Sequence, residues 1–154
     1  MSQSTGQDQF GVSKLKACDP QYKIVCEGFF AKNRKSQTRQ CTDIFFSFGE
    51  EPPIDRWKLK CFSDSPCYGI RNEGSGNWAT AKGGRVLGCP DFDENDSKWC
   101  IEFVLQCKGE LAWTKGDDNL LYLTEFLGTS NQLFEIAFIG RDLDSKAGGE
   151  VVNP

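Results

Sequence analysis

The chain has 154 residues, eight cysteines, no histidine and a formal net charge of −4. That length gives one domain with room for a real hydrophobic core. The missing imidazole excludes Ser-His and Cys-His nucleophile systems and the histidine acid–base pairs of many ribonucleases. The mild acidity offers no electrostatic basis for dedicated nucleic-acid binding.

In chain order, residues 1–16 are Ser-, Gln-, Gly- and Asp-rich and read as a flexible tail; they contain no apolar signal-peptide core, so the chain is expected to be a mature secreted form carrying an initiator Met. Residues 17–144 form the expected folded unit, without internal repeat or interior linker, and 145–154 form a second polar tail. Apolar, aromatic and β-branched runs at 22–30, 42–48, 85–87, 111–114 and 133–139 predict strands. Two further segments alternate with period two. Trp57, Leu59 and Cys61 oppose Arg56, Lys58 and Lys60, and Trp99, Ile101, Phe103, Leu105 and Cys107 oppose Cys100, Glu102, Val104, Gln106 and Lys108. Gly- and Asp-rich turns separate these runs, as in an antiparallel meander. Residues 118–127 are ambiguous. Asp117, Asp118 and Asn119 suit a helix cap and Gly128 a helix end, but as a strand the same segment suits a buried position. The expectation is a mainly β, single-domain antiparallel sheet, sandwich or barrel; the alternative is α+β with a helix near 118–127.

Cys18, Cys26, Cys41, Cys61, Cys67, Cys89, Cys100 and Cys107 are an even set within ninety residues, as in a disulfide framework of an oxidising compartment. About four bridges are expected, each worth roughly 2–4 kcal/mol. No C-x-x-C pair and no His occur, which opposes structural zinc.

Candidate contacts come from two places. The basic run 32–39 puts Lys32, Arg34, Lys35 and Arg39 in a loop between aromatic strands, suited to an acidic partner or to plain solvation. Trp78, after the Gly-rich stretch 72–77, is the tryptophan expected at the surface as a binding anchor, with packing over a disulfide as the alternative, whereas Trp57 and Trp99 belong to the core. Asp91, Asp93, Asn95 and Glu102 fall at positions one, three, five and twelve of a calcium-loop pattern. Asp96 replaces the required Gly and no helices flank the loop, so an acidic inter-strand loop is the main expectation and a weak calcium site the alternative. Asn95-Asp96-Ser97 is also an N-glycosylation triplet. Carboxylates at Glu50-Glu51, Asp117-Asp118 and Asp142/Asp144 are candidates for the acid and base of glycoside cleavage, but adjacent carboxylates in turns are ordinarily solvated. Neither catalysis nor a cofactor is expected.

This combination of length, eight spaced cysteines and polar tails resembles the small secreted cysteine-rich effectors of plant-pathogenic fungi. Arg56-Trp57-Lys58-Leu59-Lys60 is similar to the Trp-basic-aromatic element of the Leptosphaeria avirulence and suppressing effector family. Lys58 stands there in place of Arg and Leu59 in place of an aromatic, so no functional residue is carried over. The resemblance implies an extracellular or host-delivered virulence protein, recognised by plant immune receptors, with an antiparallel sheet packed against helix or loop. The reading is therefore a secreted protein that recognises a host protein or other macromolecule at its surface, without membrane or nucleic-acid partners. The alternatives are a small-ligand-binding β-barrel and a carboxylate-based hydrolase.

Overall fold

A computed structural model describes residues 20–101, 105–106 and 111–141. The two tails, Cys18, Cys107 and Glu102 lie outside them. The described chain is almost entirely antiparallel β-structure: β1 (Pro20–Cys26), β2 (Phe29–Asn33), β3 (Thr42–Ser47), β4 (Trp57–Phe62), β5 (Ser65–Asn72), β6 (Trp78–Lys82), β7 (Arg85–Cys89), β8 (Lys98–Ile101), β9 (Leu105–Gln106), β10 (Leu111–Lys115), β11 (Leu121–Glu125) and β12 (Glu135–Arg141), with one 3₁₀ turn at Ser130–Gln132. No helix among these residues is long and apolar enough to cross a membrane.

Hydrogen bonding runs β12–β1–β4–β5–β8–β9, while β2–β3, β6–β7 and β10–β11 form hairpins. The hairpins meet one another: Thr42 pairs with Gly88, Tyr122 with Arg85, and Phe45 bridges to Leu120. Pairing closes on itself through a seven-strand circuit, β5–β6–β7–β11–β10–β9–β8. The expected antiparallel barrel is thus present, and closure removes exposed strand edges.

A three-fold repeat underlies this arrangement, correcting the expectation that no repeat exists. Asp55, Ser97 and Gln132 are each buried two residues before an aromatic residue, Trp57, Trp99 and Phe134. Each accepts a backbone N–H from four residues upstream: Glu51 N to Asp55 Oδ2 at 2.8 Å, Asp93 N to Ser97 Oγ at 2.9 Å and Gly128 N to Gln132 Oε1 at 3.0 Å. The indole of Trp57 donates to Ala31 O at 3.0 Å, and that of Trp99 to Ala79 O at 2.9 Å. In the third repeat Trp113 occupies the alanine position and Phe134 the tryptophan position, their rings 5.9 Å apart and edge to face. A tryptophan and a phenylalanine thus replace the alanine and tryptophan of the other two repeats, so the layer stays apolar and filled while its residues change. Trp57, Trp99 and Trp113 are fully buried with Ile24, Ile44, Phe46 and Ile70, so the interior is a packed core.

Other sequence expectations change in detail. The run 22–30 breaks at Glu27 and Gly28, which both take positive φ, into the β1–β2 hairpin. The alternating run after Trp99 is two short strands, with Leu105 opposite Ile101. Residues 118–127 hold no helix. Asp118 Oδ1 accepts Leu120 N at 3.0 Å, Asn119 has φ of 66°, and Leu121–Glu125 pairs with β10 over five residues. The Asp-Asn cluster is a hairpin turn, because pairing with β10 supplies each strand residue with partners that an isolated helical turn would lack.

One disulfide joins described residues, Cys41–Cys89, linking the start of β3 to the end of β7. The expected framework of about four bridges is corrected at two positions. Cys26 is a buried free thiol that donates to Ser130 O at 3.6 Å, and Cys67 is also free. Burial, reinforced by the Glu27 carboxylate, pushes the Cys26 thiol up to about 11.

Candidate functional site

The site begins with a strand glycine. Gly69 faces outward on β5, where a Cβ would meet the indole of Trp78 at 2.9 Å and the ring of Phe92 at 3.2 Å. Its missing side chain lets Trp78 lie across the outer face of the barrel. Trp78 is therefore half-buried rather than freely exposed, edge to face with Phe92 at 5.0 Å, and Phe92 in turn contacts Phe62 at 5.4 Å. Opposite Trp78 in register stands Arg71, whose guanidinium lies 5.3 Å from the ring centroid and donates from Nε to Gly76 O at 3.0 Å.

The outward residues of β4 complete a groove of about 580 Å³, with Lys58, Lys60, Arg71, Glu73, Gly76 and Trp78 among its walls. Lys58 is directly opposite Arg71, a like-charge pair relieved by the bridge from Lys58 to Glu73 at 3.2 Å. Lys60 is exposed and Arg71 has no carboxylate partner among the described residues. At the far edge Lys98 sits 4.6 Å over Phe62, and the Glu94 carboxylate holds its ammonium above the usual lysine range.

The loop carrying Gly76 is held rigidly. Asn72 Oδ1 accepts the N–H groups of Gly74 and Ser75, its Nδ2 donates to Ile54 O at 2.8 Å, and Gly76 N donates to Asn72 O at 2.9 Å. Beneath it, fully buried Asn33 accepts from Ser75 Oγ at 2.6 Å and Asn77 Nδ2 at 2.9 Å, and donates to Thr42 Oγ1 and Asp43 O. Pre-organised walls lower the ordering cost of binding.

The basic run is distributed unequally. Lys32 belongs to β2 and is buried against Glu51 at 3.1 Å, so it leaves the loop in which the sequence placed it; the Glu51 carboxylate and Phe48 O compensate its burial. Arg34 shares Glu51 at 2.8 Å, and Arg39 pairs with Asp91 at 3.0 Å. Lys35 and Arg39 line a second groove of about 260 Å³ that shares Arg71 and Gly76 with the first. Through the shared Arg71 and Gly76, Lys35, Arg39 and Trp78 come to one face, with Arg39 paired to Asp91, whereas Lys32 and Arg34 are turned to Glu51. Of the calcium-pattern residues, Asp93 Oδ1 accepts Asn95 N and Asp96 N, and Asp91 is turned to Arg39. This loop closes on itself as a turn. Among the described residues no three acidic, Cys or His groups converge. Glu50 and Glu51 are tied to Lys23, Arg56, Lys32 and Arg34, and these bonds hold both carboxyls below their usual range.

Sequence reasoning missed Arg71, Gly69 and Gly76. Gly69 interrupting a strand was the available signal, since a strand glycine marks close approach of another group.

No protein-family profile matches the chain, and no curated protein is similar to it in sequence. Solved structures do share its fold. The Rhizoctonia solani agglutinin superposes with a TM-score of 0.67 at 13% identity, covering 79% of this chain and 96% of the agglutinin. The earthworm R-type lectin C-half, solved in complex with GalNAc, gives 0.60 at 15% identity over 78% of this chain and 99% of the lectin. Cry35Ab1 gives 0.67 at 17% identity over 80% of this chain, which spans 37% of that protein. The twelve strands of the described residues and their three-fold repeat have the β-trefoil fold of such lectins and toxins.

Proposed function

We propose that the protein is a secreted recognition module that binds a carbohydrate of a host surface in the groove beside Trp78, and that it acts by binding rather than catalysis. The observation that carries this reading is the groove: about 580 Å³, open at the surface, with half-buried indole and polar side chains on a rigid frame. A pyranose ring offers a C–H face suited to an aromatic wall and a rim of hydroxyls suited to Asn, Glu and Lys partners. The fold shared with an agglutinin and an R-type lectin supports the carbohydrate assignment by analogy. The packed barrel interior favours surface recognition over an enclosed small-ligand cavity. The cysteine content and the resemblance to fungal effectors support an extracellular setting for this recognition and a virulence role detected by plant immune receptors.

The test is a glycan array probed with the labelled protein and with Trp78→Ala. A defined set of retained oligosaccharides, lost in a variant whose far-UV circular dichroism is unchanged, is the expected result. Failure of the native protein to retain any glycan would remove the proposal.

A further inference from the structure

The groove carries more positive charge than its own carboxylates neutralise. Lys58 is matched by Glu73 and Arg39 by Asp91, but Lys60, Arg71 and Lys35 have no carboxylate partner among the described residues. Arg71 is the most committed of the three. Its Nε is fixed on Gly76 O and its guanidinium is held beside the indole of Trp78, which leaves the remaining N–H groups a set direction at the junction of the two grooves. A guanidinium held in place loses little entropy on meeting an oxyanion and offers the paired donors that a carboxylate or sulfate accepts. Such clustering of fixed positive charge is notable in a chain of net charge −4, because the excess is local.

We infer that the ligand is an acidic sugar, whose carboxylate or sulfate is held between Arg71 and Lys60 while its ring lies against Trp78. This rests on the carbohydrate reading above and narrows it to one chemical class. The acidic group supplies the charge that the groove lacks, and Glu73, tied to Lys58, remains available to accept sugar hydroxyls. A carboxylate from a sialic or uronic acid and a sulfate ester present the same oxyanion to these donors, so the probes must separate them.

The experiment is isothermal titration of the full chain with 6′-sialyllactose against lactose, with trigalacturonic acid, and with a heparin-derived hexasaccharide against its desulfated form, at low and at raised salt. The expected result is at least about tenfold tighter binding of one acidic probe than of its neutral counterpart, weakening as salt rises. Lys60→Gln and Arg71→Gln each bring the acidic-to-neutral ratio toward one, whereas Lys82→Gln, an exposed lysine on the β6–β7 hairpin, leaves it unchanged. Which acidic probe wins identifies carboxylate or sulfate as the recognised group. Equal or tighter binding of the neutral sugars would overturn this inference and leave the carbohydrate reading standing. Absence of binding in every arm would overturn both. A single-stranded oligonucleotide of matched charge that binds as tightly as the hexasaccharide would overturn the sugar assignment in favour of a general polyanion site.

Discussion

Asn33→Ala removes the joint between the first two repeats and the groove loop. The native side chain is fully buried; its Oδ1 accepts from Ser75 Oγ and Asn77 Nδ2, and its Nδ2 donates to Thr42 and Asp43. Truncation strands two buried donors next to Gly76 and frees two acceptors at the start of β3. A stranded buried polar group costs about 1–3 kcal/mol, so the loss is roughly 2–5 kcal/mol, with the acceptors at the part-exposed Thr42 recovering water. At about 2–4 °C per kcal/mol for a chain of this size, the melting temperature falls by roughly 4–20 °C in calorimetry. Gly88 provides the internal control. A Cβ there would overlap the Asn33 side chain, so Gly88→Ala alone is destabilising, while in the double variant the smaller residue at 33 accommodates the methyl group. The two effects are therefore strongly sub-additive. Additive losses, or a change below about 1 kcal/mol for Asn33→Ala, would refute the clasp.

Four further outcomes follow from the same geometry. Cys41–Cys89 closes a loop of 48 residues, so reduction or Cys41→Ser should cost about 4 kcal/mol and lower the melting temperature; unchanged melting in dithiothreitol would show that the bridge contributes nothing. Trp113→Ala alone should cost about 3–5 kcal/mol, and adding Phe134→Trp should recover at least half of it in urea unfolding by rebuilding the Ala–Trp pairing of the other repeats. Cys26, raised to about 11, should resist iodoacetamide at pH 8 in the native state and react after unfolding, as read by mass spectrometry. Hydrogen bonds hold Glu27, Glu50, Glu51 and Asp118 below their ordinary values in the folded state, so their contribution is complete above the unfolded-state range and is lost as pH falls through the folded-state values. The urea midpoint should drop between pH 5 and pH 3, and Glu27→Gln should flatten that slope.

The period-two segment at Trp57 was legible because one face of β4 meets the core and the other meets solvent. The three-fold repeat was not, because the structurally equivalent polar residues are Asp55, Ser97 and Gln132, and the third repeat carries Trp113 and Phe134 where the others carry alanine and tryptophan. Three chemistries perform one capping role, so the repeat exists in hydrogen bonds and volumes while residue identity hides it. The turn at 117–119 carried a helix-start signature since Asx residues cap helices and hairpin turns by the same side-chain bond; the pairing with β10, a tertiary fact, decides. At the candidate site Trp78 was visible from its Gly-rich approach, but Arg71 and Gly69 act through register across β5 and β6, which composition does not display. The burial of Lys32 depends on Glu51, nineteen residues away, and so was equally hidden.

The measurement closest to the central claim is a ¹H–¹⁵N correlation titration of the native chain with 6′-sialyllactose, trigalacturonic acid and the heparin-derived hexasaccharide. The account predicts saturable shifts at the Trp78 indole N–H, the Arg71 Nε–H and the Gly76 amide, with the buried indoles of Trp57 and Trp99 unmoved. Saturable shifts confined to another part of the molecule, or none with any of the three sugars, would contradict it.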